Sequence, residues 1–294
     1  MLGPWCESVE AKPNLGKKLM KAALRGETGE VQALLAQGAQ PNYADTEGCT
    51  PLIVAAGGCK FAVNIDAKGR MTTEPTEGSG TVEMVSALLG AGAAPDVANP
   101  QGVTALMYAA LYGRTDSVRA LLEAHANPNL KNANGVTALH WAARDGQTKI
   151  VSMLVGAGAL VDSRTTKEQT TPLLLAVSAG RSDVVRVLLA AGADTKAADE
   201  HGQTTLMTAA YGGQVEVMSA LVPAGADVMA RDKVGNTALS NAAFAGQLSA
   251  AAWLLDHGAE VNARAQDGTT ALTVARKRGH LDIAALLEAK GGTG

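Results

Sequence analysis

Apolar residues along this chain fall into short runs with helical spacing, and the same runs keep returning. Val184-Val185 followed by Leu188-Leu189 places four apolar side chains on one face of a helix. Ahead of each such run stands a shorter apolar segment built around an alanine pair, as at Ala109-Ala110, Ala142-Ala143, Ala209-Ala210 and Ala242-Ala243. Glycine closes both kinds of segment. Gly113, Gly146, Gly180, Gly213, Gly246 and Gly279 follow the first kind, and Gly158, Gly192, Gly225 and Gly258 the second, as expected where a helix ends on a left-handed residue. Polar residues gather between the runs. The phrase Asp199-Glu200-His201-Gly202 predicts a tight turn, and the threonine that follows such a turn predicts a helix N-cap. Thr50-Pro51 and Thr171-Pro172 add proline at the first helical position. The predicted unit is turn, short helix, turn, helix.

The period follows from the capping threonines. Thr50, Thr104, Thr137, Thr171, Thr204, Thr237 and Thr270 are spaced by 54, 33, 34, 33, 33 and 33 residues. The long first interval exceeds the others by 21 residues, so one unit carries an insertion of that length. Stepping back one period from Thr50 reaches Lys17, where Leu19, Ala22 and Ala23 keep the pattern. Eight units result. A fixed period of 20–50 residues is the signature of a repeat architecture.

These residues resemble the ankyrin repeat family, whose units are 33 residues with a β-turn and two antiparallel helices. The resemblance implies an all-α ankyrin repeat solenoid of helix-turn-helix units with β-turn fingers, over residues 15–291. Its units run over about 15–44, 45–98 with the insertion at 59–79, 99–131, 132–165, 166–198, 199–231, 232–264 and 265–291. An N-terminal segment, 1–14, and a tail, 292–294, flank it. Local departures from the pattern are Gln169 in place of the turn glycine, His125 in place of the glycine after a second helix, and Pro223 in the last turn of another. Only Thr137-Ala138-Leu139-His140 keeps the family's helix-entry histidine.

Composition fits this picture. The chain is 47% hydrophobic but 3% aromatic, with 56 alanines and 33 glycines in 294 residues. A single large core would lean on rings, each of which buries roughly 150–250 Å²; alanine at this density instead lets helices approach closely. The net charge of −3 lacks the excess of positive charge that nucleic acid or an anionic membrane calls for. No stretch approaches the roughly 20 apolar residues of a membrane span. Met1 to Asn14 has no signal-like run, which favours the cytoplasm, with an exported mature protein as the alternative.

Candidate chemistry is sparse. None of the five histidines, His125, His140, His201, His257 and His280, shares metal-ligand spacing with another, and no phosphate loop or nucleophile elbow is present. Neither a metal, a cofactor nor an enzymatic activity is expected. Arg276, Lys277, Arg278 and Lys290 read as a solvated cap with cations near helix ends. Cys49 and Cys59 flank the helix expected near 51–58. At about 1.5 Å per residue they stand roughly 12 Å apart, beyond the limit of about 7 Å for a bridge, so Cys6, Cys49 and Cys59 are expected as free thiols.

The family resemblance implies a concave surface, made of turn tips and first helices, that binds another protein. Mapped unit by unit, the variable first-helix positions carry Tyr112, Arg144, Asp145, Tyr211 and Phe244, with Trp141 beside them and Tyr108 one turn behind Tyr112. In the turns they carry Gln101, Asn134, Glu168, His201 and Lys233. Tyr, Trp and Arg often dominate binding energy, which makes this set the expected partner surface of a monomeric scaffold, inhibitor or stabiliser. Trp253, on a second helix, is expected to pack against a neighbouring unit. The alternative function is a small-molecule or carbohydrate site in an aromatic groove near Tyr112 and Trp141. The insertion is a further candidate: Phe61, Val63 and Ile65 alternate with polar residues, the pattern of a short strand or docked hairpin.

Overall fold

The structure is a computed structural model that describes residues 15–58 and 81–294, and the backbone of 62–65 and 71–74. The segment 1–14, Cys6, Cys59 and Phe61 lie outside the described residues, as do the side chains of Val63 and Ile65. The chain divides into two compact units, Met1–Asn127 and Pro128–Gly294.

In the first unit the helices are α1 (Leu15–Arg25), α2 (Thr28–Ala36), α3 (Pro51–Ala55), α4 (Val82–Gly90), α5 (Ala105–Leu111) and α6 (Thr115–Glu123). Two strands, β1 (Ala62–Ile65) and β2 (Met71–Glu74), pair antiparallel, with Val63 opposite Thr73 and Ile65 opposite Met71. They form a hairpin within the insertion, so the helical array carries one small sheet. α1 packs on α3 and α3 on α5, while α2 packs on α4 and α4 on α6.

The second unit holds α7 (Ala138–Arg144), α8 (Thr148–Gly156), α9 (Pro172–Ser178), α10 (Ser182–Ala190), α11 (Thr205–Tyr211), α12 (Val215–Leu221), α13 (Ala238–Ala245), α14 (Leu248–Asp256), α15 (Ala271–Arg278) and α16 (Leu281–Ala289). Its odd-numbered helices stack in sequence, α7 to α15, and its even-numbered helices likewise, α8 to α16.

Burial follows the apolar pattern. α5 buries all of Ala105 to Ala110, and Val184, Val185 and Leu188 of α10 are fully buried. Each leucine hidden in this way stabilises by roughly 1.5–3 kcal/mol relative to exposure. The alanine pairs are at or near zero exposure; there a larger side chain would push the stacked helices apart.

Capping is as regular as the period. The hydroxyls of Thr50, Thr104, Thr171, Thr204, Thr237 and Thr270 accept from the backbone N–H three residues on, at 3.2–3.4 Å. Pro223 has a visible effect. α12 stops at Leu221, two residues short of its nine-residue counterparts α8, α10, α14 and α16, because a proline ring can neither donate a backbone hydrogen bond nor fit against the preceding turn. Gln169 and His125 stand where sister units have glycine, and both take a left-handed backbone, at φ 53° and 62°.

One expectation is overturned. Cys49 is disulfide-bonded, not a free thiol, and both possible partners, Cys6 and Cys59, lie outside the described residues. A separation of roughly 12 Å between residues 49 and 59 requires helix throughout 51–58, at about 1.5 Å per residue. α3 covers only Pro51–Ala55, and the backbone then reverses at Gly57, φ 105°. Helical rise therefore does not set the separation of residues 49 and 59, and it does not bear on Cys6.

Candidate functional site

Turn tips are fixed first by their own side chains. In the turn at Asp199, one carboxylate oxygen accepts from the backbone N–H groups of His201 and Gln203, at 2.8 and 2.9 Å. Asn132 does the same for Asn134 and Val136, and Asp232 for Val234 and Asn236. In the first unit Asn99 accepts from Gln101 at 3.1 Å and Val103 at 2.9 Å. This local bond is why aspartate or asparagine opens these turns; Thr165 and Ala265 open two others.

Within the second unit the tips are then tied to one another through the backbone. The N–H of Thr166 donates to the carbonyl of Asn134, Glu200 to Glu168, Lys233 to His201, and Gln266 to Val234, at 2.9–3.0 Å. Asn134, Glu168, His201 and Lys233 thus sit on a continuous main-chain ladder with exposed side chains. A residue held by its backbone in this way presents its side chain at a lower entropic cost on binding.

The first unit's rings are less available than the sequence pattern implies. Tyr108 is 7% exposed. Its hydroxyl accepts from Asn99 Nδ2 at 3.4 Å, and its ring lies so close to Gly58 that a Cβ there would come within 2.5 Å of it. Tyr108, expected at the partner surface, is thus buried, and it stacks parallel to Tyr112 at 6.4 Å. Tyr112 is half-buried over Gly57, with the Arg114 guanidinium 5.8 Å from its ring centre. Burial raises the pKa of both tyrosines and lowers that of Arg114.

In the second unit, Trp141 is half-buried on α7. Arg144 and Asp145 bind each other through two contacts of 2.8 and 3.1 Å, a hydrogen bond that raises the Arg144 pKa. Each is thereby largely neutralised. Further along, at the same place on α11 and α13, Tyr211 is 53% and Phe244 41% exposed. Their rings stack at 6.3 Å with 29° between planes, and the Arg278 guanidinium lies 3.6 Å from the Phe244 ring centre. Three consecutive repeats thus place a tyrosine, a phenylalanine and an arginine in one exposed stack. Sequence reasoning assigned Arg278 to a solvated cap. The register of Tyr211 and Phe244, a spacing of 33, leads to Lys277 and misses Arg278 by one residue.

Val234 at a turn tip is 54% exposed, and Leu248 and Leu281, which open α14 and α16, are 40% and 73% exposed. Trp253 is half-buried and stacks on His257, the C-cap of its own helix, at 3.6 Å. A cleft of about 420 Å³ is lined by Asp145, Thr148, Arg181, Asp183, Arg186 and Glu216 with two glycines, a serine and a valine, and by no ring. Its charges are paired internally: Arg186 binds both Asp183 and Glu216.

His140 is the one strongly perturbed histidine. It is fully buried, and its Nδ1 accepts from the Thr137 N–H at 3.2 Å, which leaves Nε2–H to donate to the Thr170 carbonyl at 3.2 Å. Burial pushes its pKa down to about 4. Both nitrogens are engaged by the fold, so this group joins two repeats. Among the described residues no three His, Cys, Asp or Glu side chains are grouped to hold a metal, and no helix is long and apolar enough to cross a membrane.

Stacked helix pairs, asparagine- or aspartate-braced turns and a row of exposed side chains at a fixed period define a helical repeat protein. A family model described as ankyrin repeats, in three copies, matches residues 76–165, 161–232 and 229–292. The chain belongs to the ankyrin-repeat family. Such repeats are generally protein–protein interaction modules and generally not enzymes. No curated protein matches the chain.

Proposed function

We propose that this protein binds another protein through the second unit, with the Tyr211, Phe244 and Arg278 stack as its energetic centre and the turn tips at Asn134, Glu168, His201 and Lys233 as the polar rim. The observation that carries this reading is the exposure of two stacked rings, 53% and 41%, in a protein with nine rings in all. Aromatic and arginine side chains held rigid at a surface are the usual anchors of an interface, surrounded by polar contacts that exclude water. With no reactive constellation at hand, the protein acts by occupying its partner as a scaffold, inhibitor or stabiliser.

The test is affinity capture with wild type and with the double variant Tyr211→Ala/Phe244→Ala. The expected result is loss of the partner with an unchanged helical spectrum, since exposed side chains add little to folding. Equal recovery by both proteins overturns the proposal. Removal of residues 60–78 in a parallel sample asks whether the insertion contributes; retained capture there assigns binding to the stack alone.

A further inference from the structure

The stack has a chemical polarity that says what kind of segment fits it. At one end are rings; at the other are cations. The last turn of α15 is Arg276, Lys277 and Arg278 in succession, all exposed. Arg276 is engaged by Glu288 at 2.7 Å. Among the described residues neither Lys277 nor Arg278 has an acidic partner within ion-pair distance. Asp267 senses Lys277 only at longer range, and its carboxylate is held by the Thr269 N–H at 3.0 Å and hydroxyl at 2.7 Å. Asp282, in the first turn of α16, is exposed and caps the Ile283 N–H at 2.8 Å, and in earlier repeats Asp145 is paired with Arg144, and Asp183 and Glu216 with Arg186.

Arg278 lies face-on to Phe244. That contact uses the face of the guanidinium and leaves its edge N–H donors free for a bidentate carboxylate, while the ring beneath restricts the side chain and reduces the entropy lost on binding. Leu248 and Leu281 extend apolar surface on the helices that follow Phe244 and Arg278, only four and three residues further along the chain.

We propose that the Tyr211–Phe244–Arg278 stack takes an acidic segment of a partner protein that carries an apolar anchor: the anchor lies on Tyr211 and Phe244, and a neighbouring carboxylate pairs with Arg278 and Lys277. The proposal rests on the protein-binding reading above and adds the partner's chemistry to it. Rings beside cations also suit stacked bases, but the chain's net charge of −3 supplies no wider positive field to hold a phosphate backbone.

The experiment selects a random linear peptide library on the full-length protein and, in parallel, measures binding of a single-stranded oligonucleotide pool at physiological salt. Peptides selected on wild type are expected to place Asp or Glu beside Leu, Ile, Phe or Trp. Their affinity should fall by at least about tenfold on Tyr211→Ala/Phe244→Ala and again on Lys277→Gln/Arg278→Gln, a modest loss for a close charge pair, with unchanged melting as the control for both variants. Selection on Lys277→Glu/Arg278→Glu should return lysine- and arginine-rich peptides. Binders that need Tyr211 and Phe244 but show no acidic bias, or that ignore Lys277→Gln/Arg278→Gln, overturn this inference and leave the docking surface standing. Binders indifferent to Tyr211→Ala/Phe244→Ala, or no binder at all, overturn both. Tight binding of the oligonucleotide pool at the stack overturns the acidic-peptide assignment.

Discussion

Protonation of His140 should weaken the second unit as the pH falls, by an amount the structure sets. In the folded protein this imidazole is fully buried and its Nδ1 accepts from the Thr137 N–H, so a proton there meets both desolvation and a lost hydrogen bond. Its pKa lies at about 4 against 6.5 for the free side chain. Below pH 6.5 the unfolded chain takes up a proton that the folded one refuses. The stabilisation is therefore present in full above that value and is lost progressively as the pH falls through about 4. The whole shift corresponds to about 3 kcal/mol, of which about 2 kcal/mol is lost between pH 7 and pH 5. Denaturant unfolding at the two pH values, for wild type and His140→Gln, isolates the effect, because glutamine can accept and donate at similar positions but does not titrate. Wild type should lose about 2 kcal/mol more than the variant. Ring-nitrogen shifts by NMR provide the local readout. An imidazole that titrates near 6.5 in the folded protein, or equal losses for the two proteins, refutes the reasoning.

Other substitutions probe the backbone and the covalent link. His125→Gly should stabilise the first unit by about 1 kcal/mol, since an exposed side chain at φ 62° bears the left-handed cost that glycine avoids; a lower melting temperature contradicts this. Gly202→Ala should destabilise the second unit by about 2 kcal/mol, because the backbone there has φ 83° and the new Cβ would stand 2.9 Å from the Lys233 backbone nitrogen that ties two turns together. Hydrogen exchange at the Lys233 amide should accelerate with it. Alkylation of the unfolded, unreduced protein followed by peptide mapping should find one free thiol among the three cysteines and Cys49 protected; labelled Cys49 would restore the free-thiol expectation.

Most of the helical framework was legible because its determinants are local. A threonine hydroxyl caps the N–H three residues on, an aspartate or asparagine closes its own turn, and Pro223 ends α12, whatever the rest of the chain does. The partner surface was legible as positions but not as exposures. Tyr112 and Tyr211 stand one position apart in their repeats, eight residues after Thr104 and seven after Thr204, and one is half-buried while the other is 53% exposed. The difference comes from neighbours: Tyr112 rests on Gly57 and beside Arg114, whereas Tyr211 meets Phe244 on one side and follows a repeat that offers only Ser178 and Ala179. Tyr108, on the same helix as Tyr112, sinks into the space that Gly58 leaves and bonds Asn99.

The sequence by itself determined the repeat, its turns and its caps, because each rests on hydrogen bonds and steric limits within a few residues. Only the tertiary structure decided which rings stay outside and that Arg278 lies on Phe244. Burial and stacking depend on side chains one full period away, where a glycine or an arginine in the next unit changes the outcome without changing the pattern.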